Sequence, residues 1–432
     1  MPVVSFLLEL PDELVDHVVG YVERSSDLLA LALTCCRLKE IIIPDHLKHR
    51  EMTIVLDDLD ELEQLILRPR LARNVRAIVI YHPEKGWGKE EKVVAESRVA
   101  LALSLMPNLI QFRWDLDSDP ATKGLIWEML RTSCHCLRRL EFVNSPPTRD
   151  ASVSKIFDLR NLTWIDLILH IPHRGEVEAY VVAIKNFSLG CPSLSHLTFT
   201  FDNLISFEAI LREVFWPRLE HILLRNISCH PATLHTFLTR HTTIKYFLFF
   251  RFVAESAMQD SIYPPLAPGV LPNLQRLCLQ HRNLRHRIDP LLQHASWPDL
   301  RWVYFSQVSC LSQPFKAFLA RHPSIEDLTI QSSVAADSPH GLLSGLLPDT
   351  LPRLRSFMGE GSDYRIVCLA GSPLESLLID GRELQFAETE QALRRVAPTL
   401  LSLSFFPSPD AGALEAFRRK VPELRAKPHF NL

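Results

Sequence analysis

A short pattern of apolar residues recurs along most of the chain. In its clearest copy, Trp216–Asn226, a proline is followed by a leucine and then by apolar residues three and five positions beyond that leucine. Such alternation gives a short β-strand one apolar face, and the proline ends a preceding helix. Helical stretches with an apolar stripe lie before other copies, as in Thr233–Arg240 and Phe315–Arg321. A strand or helix of this kind cannot bury its apolar side alone, so neighbouring units must stack.

The spacing of these copies predicts the architecture. Fourteen anchor positions run from Val75 to Leu424 with a mean period of about 27 residues, which is typical of leucine-rich repeats with one strand and one helix each. We therefore expect an α/β fold over residues 51–432: a right-handed, curved solenoid of about 13–14 degenerate repeats. Its strands should form one parallel sheet, with the helices on the outer face.

A longer internal similarity supports this repeat. Shifting the chain by about 81 residues, or three repeats, places Trp297-Pro298 on Trp216-Pro217 and Ser309-Cys310 on Ser228-Cys229. The same shift places Phe318-Leu319-x-Arg321-His322 on Phe237-Leu238-x-Arg240-His241. We interpret this offset as a larger repeating unit.

The first fifty residues do not follow the repeat and form a separate predicted domain, 1–50. Leu10-Pro11-Asp12-Glu13-Leu14 predicts a helix start, because proline suits the first turn and acids suit the positive end of the helix dipole. Leu14, Val18 and Val22 make one apolar stripe on this helix. A second helix follows Ser25-Ser26-Asp27, and a third begins near Thr34 and should stop near Pro44.

The motifs L-P-D-E-L from Leu10, D-L-L-A-L-A-L-T-C-C-R-L-K-E from Asp27 and I-P-D-H-L from Ile43 resemble an F-box. Many F-boxes carry tryptophan where this chain has Leu38. An F-box followed by repeats is similar to the F-box/leucine-rich-repeat substrate receptors. That resemblance implies docking on the Skp adaptor of a cullin–RING ubiquitin ligase, through Leu10, Pro11, Leu14, Val18, Leu28, Leu31 and Arg37. The alternative is a three-helix cap that seals the first repeat.

Composition narrows the class of protein. Hydrophobic residues make up 47% of the chain and the net charge is −3, which favours a well-packed protein and gives no electrostatic case for nucleic acid or anionic membrane as a partner. Nine cysteines without paired spacing favour reduced thiols and a cytoplasmic or nuclear location. We expect no signal peptide, because the first residues lack a basic region, and no membrane span.

Motifs for catalysis are missing from the sequence. It contains no G-x-S-x-G, no G-x-x-x-x-G-K-[ST] and no H-E-x-x-H. Cys134-His135-Cys136 is too tightly spaced for a zinc site. We therefore expect no enzyme activity, no cofactor and no metal. An enzyme would need a cleft with clustered titratable residues of perturbed pKa.

Polar insertions interrupt the repeat. Each insertion either has a function or is a loop that the fold tolerates, and the sequence does not distinguish these two possibilities. A basic cluster after Gln280 is interpreted as a solvated helix start, and a last helix is expected at 411–421. The insertions are His82–Lys92, Ile171–Glu176, Ala254–Val270 and Ser332–Gly345, and the cluster is Arg282, Arg285, His286 and Arg287.

The positions between the apolar strand residues should face the other side of the sheet. On three neighbouring strands they hold aromatic residues and an arginine, the types favoured in protein-binding hot spots. We therefore predict a target-binding patch, unless the insertion 254–270 folds over it or the register is wrong by one residue. The patch comprises Tyr246, Phe250, Arg276, Trp302 and Tyr304.

Together these features predict a substrate-recognition subunit of an SCF-type ubiquitin ligase. The F-box would bind Skp, and the repeat surface would bind an unidentified protein target. The alternative is a repeat scaffold or regulatory protein that acts outside any ligase, with the helical head as its cap.

Overall fold

The computed structural model forms two compact units, Met1–Asn203 and Leu204–Leu432, which are described one at a time. It describes residues 9–22, 24–56, 59–81, 89–115, 124–143, 153–169, 177–250, 253–254, 269–280, 287–331, 334–335, 341–359, 363–379, 387–405, 412, 415 and 419. Most residues of the four insertions, and of the helix expected at 411–421, lie outside these described ranges.

The first unit begins with three short helices: α1 (Asp12–Gly20), α2 (Ser25–Ala32) and α3 (Cys36–Ile42). The chain does not leave the helix near Pro44, as the sequence predicted. It continues as a π-helical segment, Ile43–Leu47, in which the Lys48 amide donates to the Ile43 carbonyl at 3.0 Å. Pro44 lies in the first turn of this segment, and because it has no N–H it donates no bond to the preceding turn of α3.

The strand repeat follows these helices directly. In this unit the strands pair in parallel in chain order: β1 (Glu51–Val55), β2 (Ala77–Tyr81), β3 (Gln111–Asp115), β4 (Arg139–Val143), β5 (Trp164–Leu169) and β6 (His196–Ser206). The described helices between them are α4 (Asp60–Leu67), α5 (Pro69–Ala72), α6 (Lys89–Leu103), α7 (Leu125–Thr132), α8 (Val153–Ile156) and α9 (Val177–Gly190).

The second unit continues the same alternation. Its strands are β7 (His221–Cys229), β8 (Tyr246–Phe250), β9 (Val253–Ala254), β10 (Arg276–Gln280), β11 (Trp302–Ser306), β12 (Ser309–Cys310), β13 (Asp327–Gln331), β14 (Val334–Ala335), β15 (Ser356–Gly359), β16 (Ser376–Ile379) and β17 (Ser402–Phe405). Its helices are α10 (Glu208–Glu213), α11 (Pro231–Arg240), α12 (Asp289–His294), α13 (Ser312–Arg321), α14 (Asp363–Leu369) and α15 (Ala387–Val396). The parallel order is β7-β8-β10-β11-β13-β15-β16-β17, while β9 pairs with β7 and β12 with β14.

Burial alternates along the strands as the apolar pattern requires. On β11, Val303 and Phe305 are fully buried, whereas Trp302 and Tyr304 are half-buried. The Phe305 ring lies 5.9 Å from that of Phe315 on α13, so the buried side of the strand faces a helix. The predicted α/β architecture, with parallel strands and helices in alternation, is confirmed.

Candidate functional site

The N-terminal helices pack around a small core of their own. Six residues from α1, α2 and α3 are at most 1% exposed, which gives each helix one buried side. Pro11 precedes the first helical residue, and the acids Asp12 and Glu13 occupy the first turn, where the helix dipole favours negative charge. The core residues are Val15, Val19, Leu28, Ala32, Leu38 and Ile42.

The opposite sides of α1 and α2 leave large apolar residues in solvent. Leu14 and Val18 lie on one stripe of α1 and are 50% and 43% exposed, and Tyr21, the residue after α1, is 74% exposed. Leu29 on α2 is 47% exposed, and Leu33, the residue after α2, is 72% exposed. Exposed apolar side chains of this size are the kind that interaction surfaces carry. We call these five residues the apolar head face.

A second surface lies on the half-exposed side of the sheet in the second unit. Strand pairing places Tyr246, Arg276, Trp302 and Asp327 side by side on four consecutive strands. Two residues further along, the next row across the strands is Leu248, Cys278, Tyr304 and Thr329. The third row includes Arg225 and Phe250.

Ring contacts join these residues within and across the strands. Trp302 and Tyr304 stack with their ring centroids 5.9 Å apart, and the rings of Tyr304 and Phe250 lie 6.5 Å apart. The Tyr304 hydroxyl donates to Gln331 Oε1 at 3.0 Å. The Arg276 guanidinium lies 5.2 Å from the Tyr246 ring centroid, within the range of a cation–π contact.

Burial shifts the titration of groups on this surface. Desolvation, reinforced by the charge of Arg276, lowers the pKa of His221 to about 4, so this imidazole is neutral near pH 7. Desolvation also raises the pKa of Asp327, against the hydrogen bond from Ser356 and the charge of Arg276. Buried Cys278 has a raised pKa and stays a thiol.

The corresponding side of the sheet in the first unit carries a network of charges. Arg113 contacts Asp115 at 3.0 Å and Glu141 at 3.8 Å. Desolvation and the neighbouring Glu141 raise the pKa of Asp166 to about 6, opposed by Arg113 and Arg139. Arg139 also stacks over the Trp164 ring at 3.9 Å. Because each carboxylate here has arginines beside it, we interpret the network as ion pairs with a structural role in the sheet.

Within the part of the chain that the structure describes, no group of three or more histidine, cysteine or acidic residues is placed to hold a metal ion. Cys134 is buried with a pKa raised to about 12 by desolvation, whereas Cys136 is exposed. None of the helices in the described ranges is long and apolar enough to span a bilayer.

Residues 7–50 match the model of the F-box domain. The chain carries an F-box domain. This confirms the resemblance that the motifs of the first fifty residues indicated, and the three helices with their apolar head face are that domain.

Among solved structures, the complex of Rad7 and Elc1 from yeast has a chain similar to this one. The two share 12% sequence identity, with a TM-score of 0.39, over 80% of this chain and 92% of that one. Such a value is too low for a shared function or partner to be inferred from it. No curated protein matches the chain.

The F-box residues predicted to bind Skp fall into different environments. Pro11, Leu14 and Val18 are exposed, and Leu10 and Leu31 are partly buried against the domain core. Leu28 is fully buried, so its predicted role in supplying surface to a partner is wrong. The prediction does not include the exposed residues Tyr21, Leu29 and Leu33. In Leu28–Leu33 either of two apolar stripes can face the core, so the pattern alone does not say which leucines are exposed.

The remaining predicted residue, Arg37, bonds within the F-box itself. Its guanidinium donates to Asp12 Oδ1 at 2.6 Å and to the Leu10 carbonyl at 2.5 Å. These bonds hold the segment before α1 against the start of α3. Any effect of Arg37 on partner binding therefore acts through the position of this segment.

The five residues predicted for target binding do come together on one surface. Arg276 is exposed and the four aromatic residues are half-buried, while most of the insertion 254–270 lies outside the described residues. The register predicted from the apolar pattern is therefore correct on these strands. The prediction left out Arg225 and Leu248, which alternate with buried residues in the same way. Their binding role stays a prediction.

Proposed function

We propose that this chain is a substrate-recognition subunit of an SCF-type cullin–RING ubiquitin ligase. Its F-box docks on a Skp adaptor, and the half-exposed sheet surface of the second unit binds a protein target. The chain performs no chemistry of its own. It acts by proximity, holding a target lysine near a ubiquitin-loaded enzyme in the same assembly.

The observation that carries this proposal is the apolar head face on a matched F-box domain. F-box domains bind Skp-like adaptors. Here Tyr21 and Leu33, which follow α1 and α2, expose more than 70% of their surface to solvent, although the domain has a buried core of its own. Burial of such side chains against a partner is favourable by about 1.5–3 kcal/mol each.

The test is direct binding of the purified full chain to a Skp adaptor by calorimetry. Replacing Leu14 or Pro11 by alanine should weaken binding about 30-fold each, or about 2 kcal/mol, if each is a hot spot. Leu33→Asp should abolish binding, because it places a charge in the apolar contact.

A matched control is Leu67→Ala on α4. Leu67 is as exposed as Leu33 but lies outside the F-box, so its loss should leave adaptor binding unchanged. If the unaltered chain shows no association with the adaptor, the ligase role is wrong.

A second candidate function is a repeat scaffold outside any ligase, with the F-box helices as a cap. It is favoured by the bonds that join these helices to the first repeats. The Arg76 guanidinium donates to the Gly20 carbonyl at 2.8 Å, and Ser25 donates to Glu51 at 2.7 Å. A cap needs such bonds, but it needs no exposed apolar face, so the adaptor experiment distinguishes the two functions.

A further inference from the structure

Two arginines converge on one strand of the half-exposed sheet surface. The Arg225 guanidinium, from β7, lies 5.2 Å from the Phe250 ring centroid. The Arg276 guanidinium, from β10, lies 5.2 Å from the Tyr246 ring centroid. Both rings belong to β8, the strand between β7 and β10. The two cations thus lean inward over β8 from its two neighbours.

Neither arginine is paired with an acid. Other arginines of this unit contact carboxylates, as Arg212 contacts Glu208 at 2.8 Å. Arg225 and Arg276 are exposed, and among the described residues neither makes an ion pair or a hydrogen bond. Stacking on a ring fixes the plane of a guanidinium and leaves its N–H edge free to donate.

The distance between the two guanidinium groups, called forks below, limits which ligand can contact both of them. Tyr246 and Phe250 are four residues apart on β8, which is roughly 13 Å along a strand. Between them on the same side lies Leu248, which is half-buried. An extended peptide presents residues i, i+2 and i+4 on one side over the same length.

We infer that this surface binds an extended acidic segment of a partner protein through two carboxylates four residues apart. The segment carries an apolar residue midway, which packs on Leu248, and each carboxylate pairs with one fork, at Arg225 or at Arg276. The inference rests on the proposed function, since the partner is the target of the receptor, and it adds the chemistry by which that target is recognised.

The charges around the forks favour carboxylates over phosphates. Each fork stands alone, and a single planar guanidinium matches one carboxylate in a bidentate pair. Phosphate sites use clusters of arginines. Asp327 lies two strands from Arg276 in the same row. Its negative charge repels a doubly charged phosphate at Arg276 more strongly than a singly charged carboxylate. His221, beside Tyr246, is neutral near pH 7 and adds no charge.

The experiment uses the full chain and fluorescein-labelled nine-residue peptides, with binding followed by fluorescence polarisation. The probe contains Glu-Ser-Leu-Ser-Glu, and a second contains Gln-Ser-Leu-Ser-Gln. A third holds the two Glu next to each other at the same net charge. We expect the first probe to bind about tenfold more tightly than the third and to lose most affinity in the Gln version.

Charge exchange on the protein separates recognition from folding. Arg225→Gln and Arg276→Gln should each lower the affinity for the acidic probe about tenfold. Arg394→Gln on α15 changes the net charge by the same amount and should leave this affinity unchanged. The double variant R225E/R276E should no longer bind the acidic probe and should instead bind a probe that contains Lys-Ser-Leu-Ser-Lys. A variant that had only unfolded would bind neither.

Three results would overturn the inference: no binding of the acidic probe up to about 1 mM, equal binding of all three probes, or tighter binding of a probe with phosphoserine in place of both Glu. Failure here is distinct from failure of the proposed function. Adaptor binding by the F-box is measured separately and does not depend on Arg225 or Arg276.

Discussion

At the scale of single residues, exposure separates two tryptophans that occupy the second unit. Trp297 is 1% exposed, and its indole N–H donates to the Val270 carbonyl at 3.0 Å. Trp302, only five residues further, lies half-buried on the opposite side of the sheet, stacked on Tyr304. The first tryptophan therefore belongs to the core, and the second to the half-exposed side of the sheet.

We expect Trp302→Ala to lower the free energy of unfolding by less than about 1 kcal/mol, as for a surface residue. Trp297→Ala should cost about 3–5 kcal/mol, because it leaves a cavity and an unpaired carbonyl. Urea unfolding of the two variants measures both values. A loss for Trp302→Ala as large as for Trp297→Ala would place Trp302 in the core and remove it from the binding surface. Adaptor binding should be unchanged by Trp302→Ala.

At the scale of helices and strands, residues that are 81 positions apart in the sequence make the same hydrogen bonds. His241 follows α11 and accepts from the Trp216 amide at Nε2, 3.1 Å, while His322 follows α13 and accepts from the Trp297 amide at 2.9 Å. In both, Nδ1 lies against a carbonyl of the helix just ended, Phe237 or Phe318. Since a carbonyl only accepts, each imidazole is neutral, with its proton on Nδ1.

These two histidines should make stability depend on pH. Desolvation lowers the pKa of both to about 4 in the folded chain, below the ordinary value of 6.5. The unfolded chain therefore binds more protons between these values. The stabilisation is complete above pH 6.5 and is lost as the pH falls toward 4, at about 1 kcal/mol per pH unit for each histidine.

Urea unfolding at a series of pH values from 7 to 4.5 checks this prediction. The double variant H241Q/H322Q should be less stable at pH 7 but should show a shallower decline. The exposed His294, changed to Gln, serves as the control and should keep the original slope. An unchanged slope in the double variant would mean that neither buried histidine is responsible.

The same duplication keeps one side of the strands apolar and changes the residue types on the other side. Val303 and Phe305 on β11 correspond to Ile222 and Leu224 on β7, so the side facing the helices stays apolar. On the other side, residues differ at every corresponding position of β7 and β8: His221 and Trp302, Leu223 and Tyr304, Arg225 and Ser306, Tyr246 and Asp327, Leu248 and Thr329, and Phe250 and Gln331. A scaffold that repeats while its exposed side varies suits recognition of one partner.

At the scale of the whole molecule, the F-box is bonded to the repeats that follow it. The Arg50 carbonyl accepts from the amides of Arg76 and Ala77, at 2.8 and 3.0 Å. Asn74 donates to the Asp45 carbonyl at 3.1 Å, and Arg70 contacts Asp16 at 3.4 Å. These bonds span the boundary predicted at residue 50, so the F-box helices are tied to the first repeats.

From the sequence alone, we would expect deletion of residues 1–50 to abolish adaptor binding and leave the repeats largely folded. The bonds at the boundary change the second expectation. The shortened chain should lose at least about 3 kcal/mol, because several hydrogen bonds to charged or backbone groups lose a partner and β1 loses its cover. Its urea midpoint, compared with that of the full chain, measures this. Equal midpoints would show that the F-box is an independent domain.

The sequence by itself determined the repeat, the positions of the strands and which residues of each strand face the helices. Spacing alone carries this information, because a strand alternates sides with a period of two, and a one-residue error would turn every side chain over. The predicted patch of Tyr246, Arg276 and Trp302 therefore lies on one surface.

Only the tertiary structure decided which of several similar residues are buried and which side chains contact each other. In the F-box, Leu14 with Val18 and Val15 with Val19 have the same spacing and the same chemistry, and packing against α2 and α3 buries the second pair. The convergence of Arg225 and Arg276 on β8 also depends on tertiary structure. It is set by pairing between strands that are distant in the chain, and local patterns do not encode which neighbour's ring a long side chain will cover.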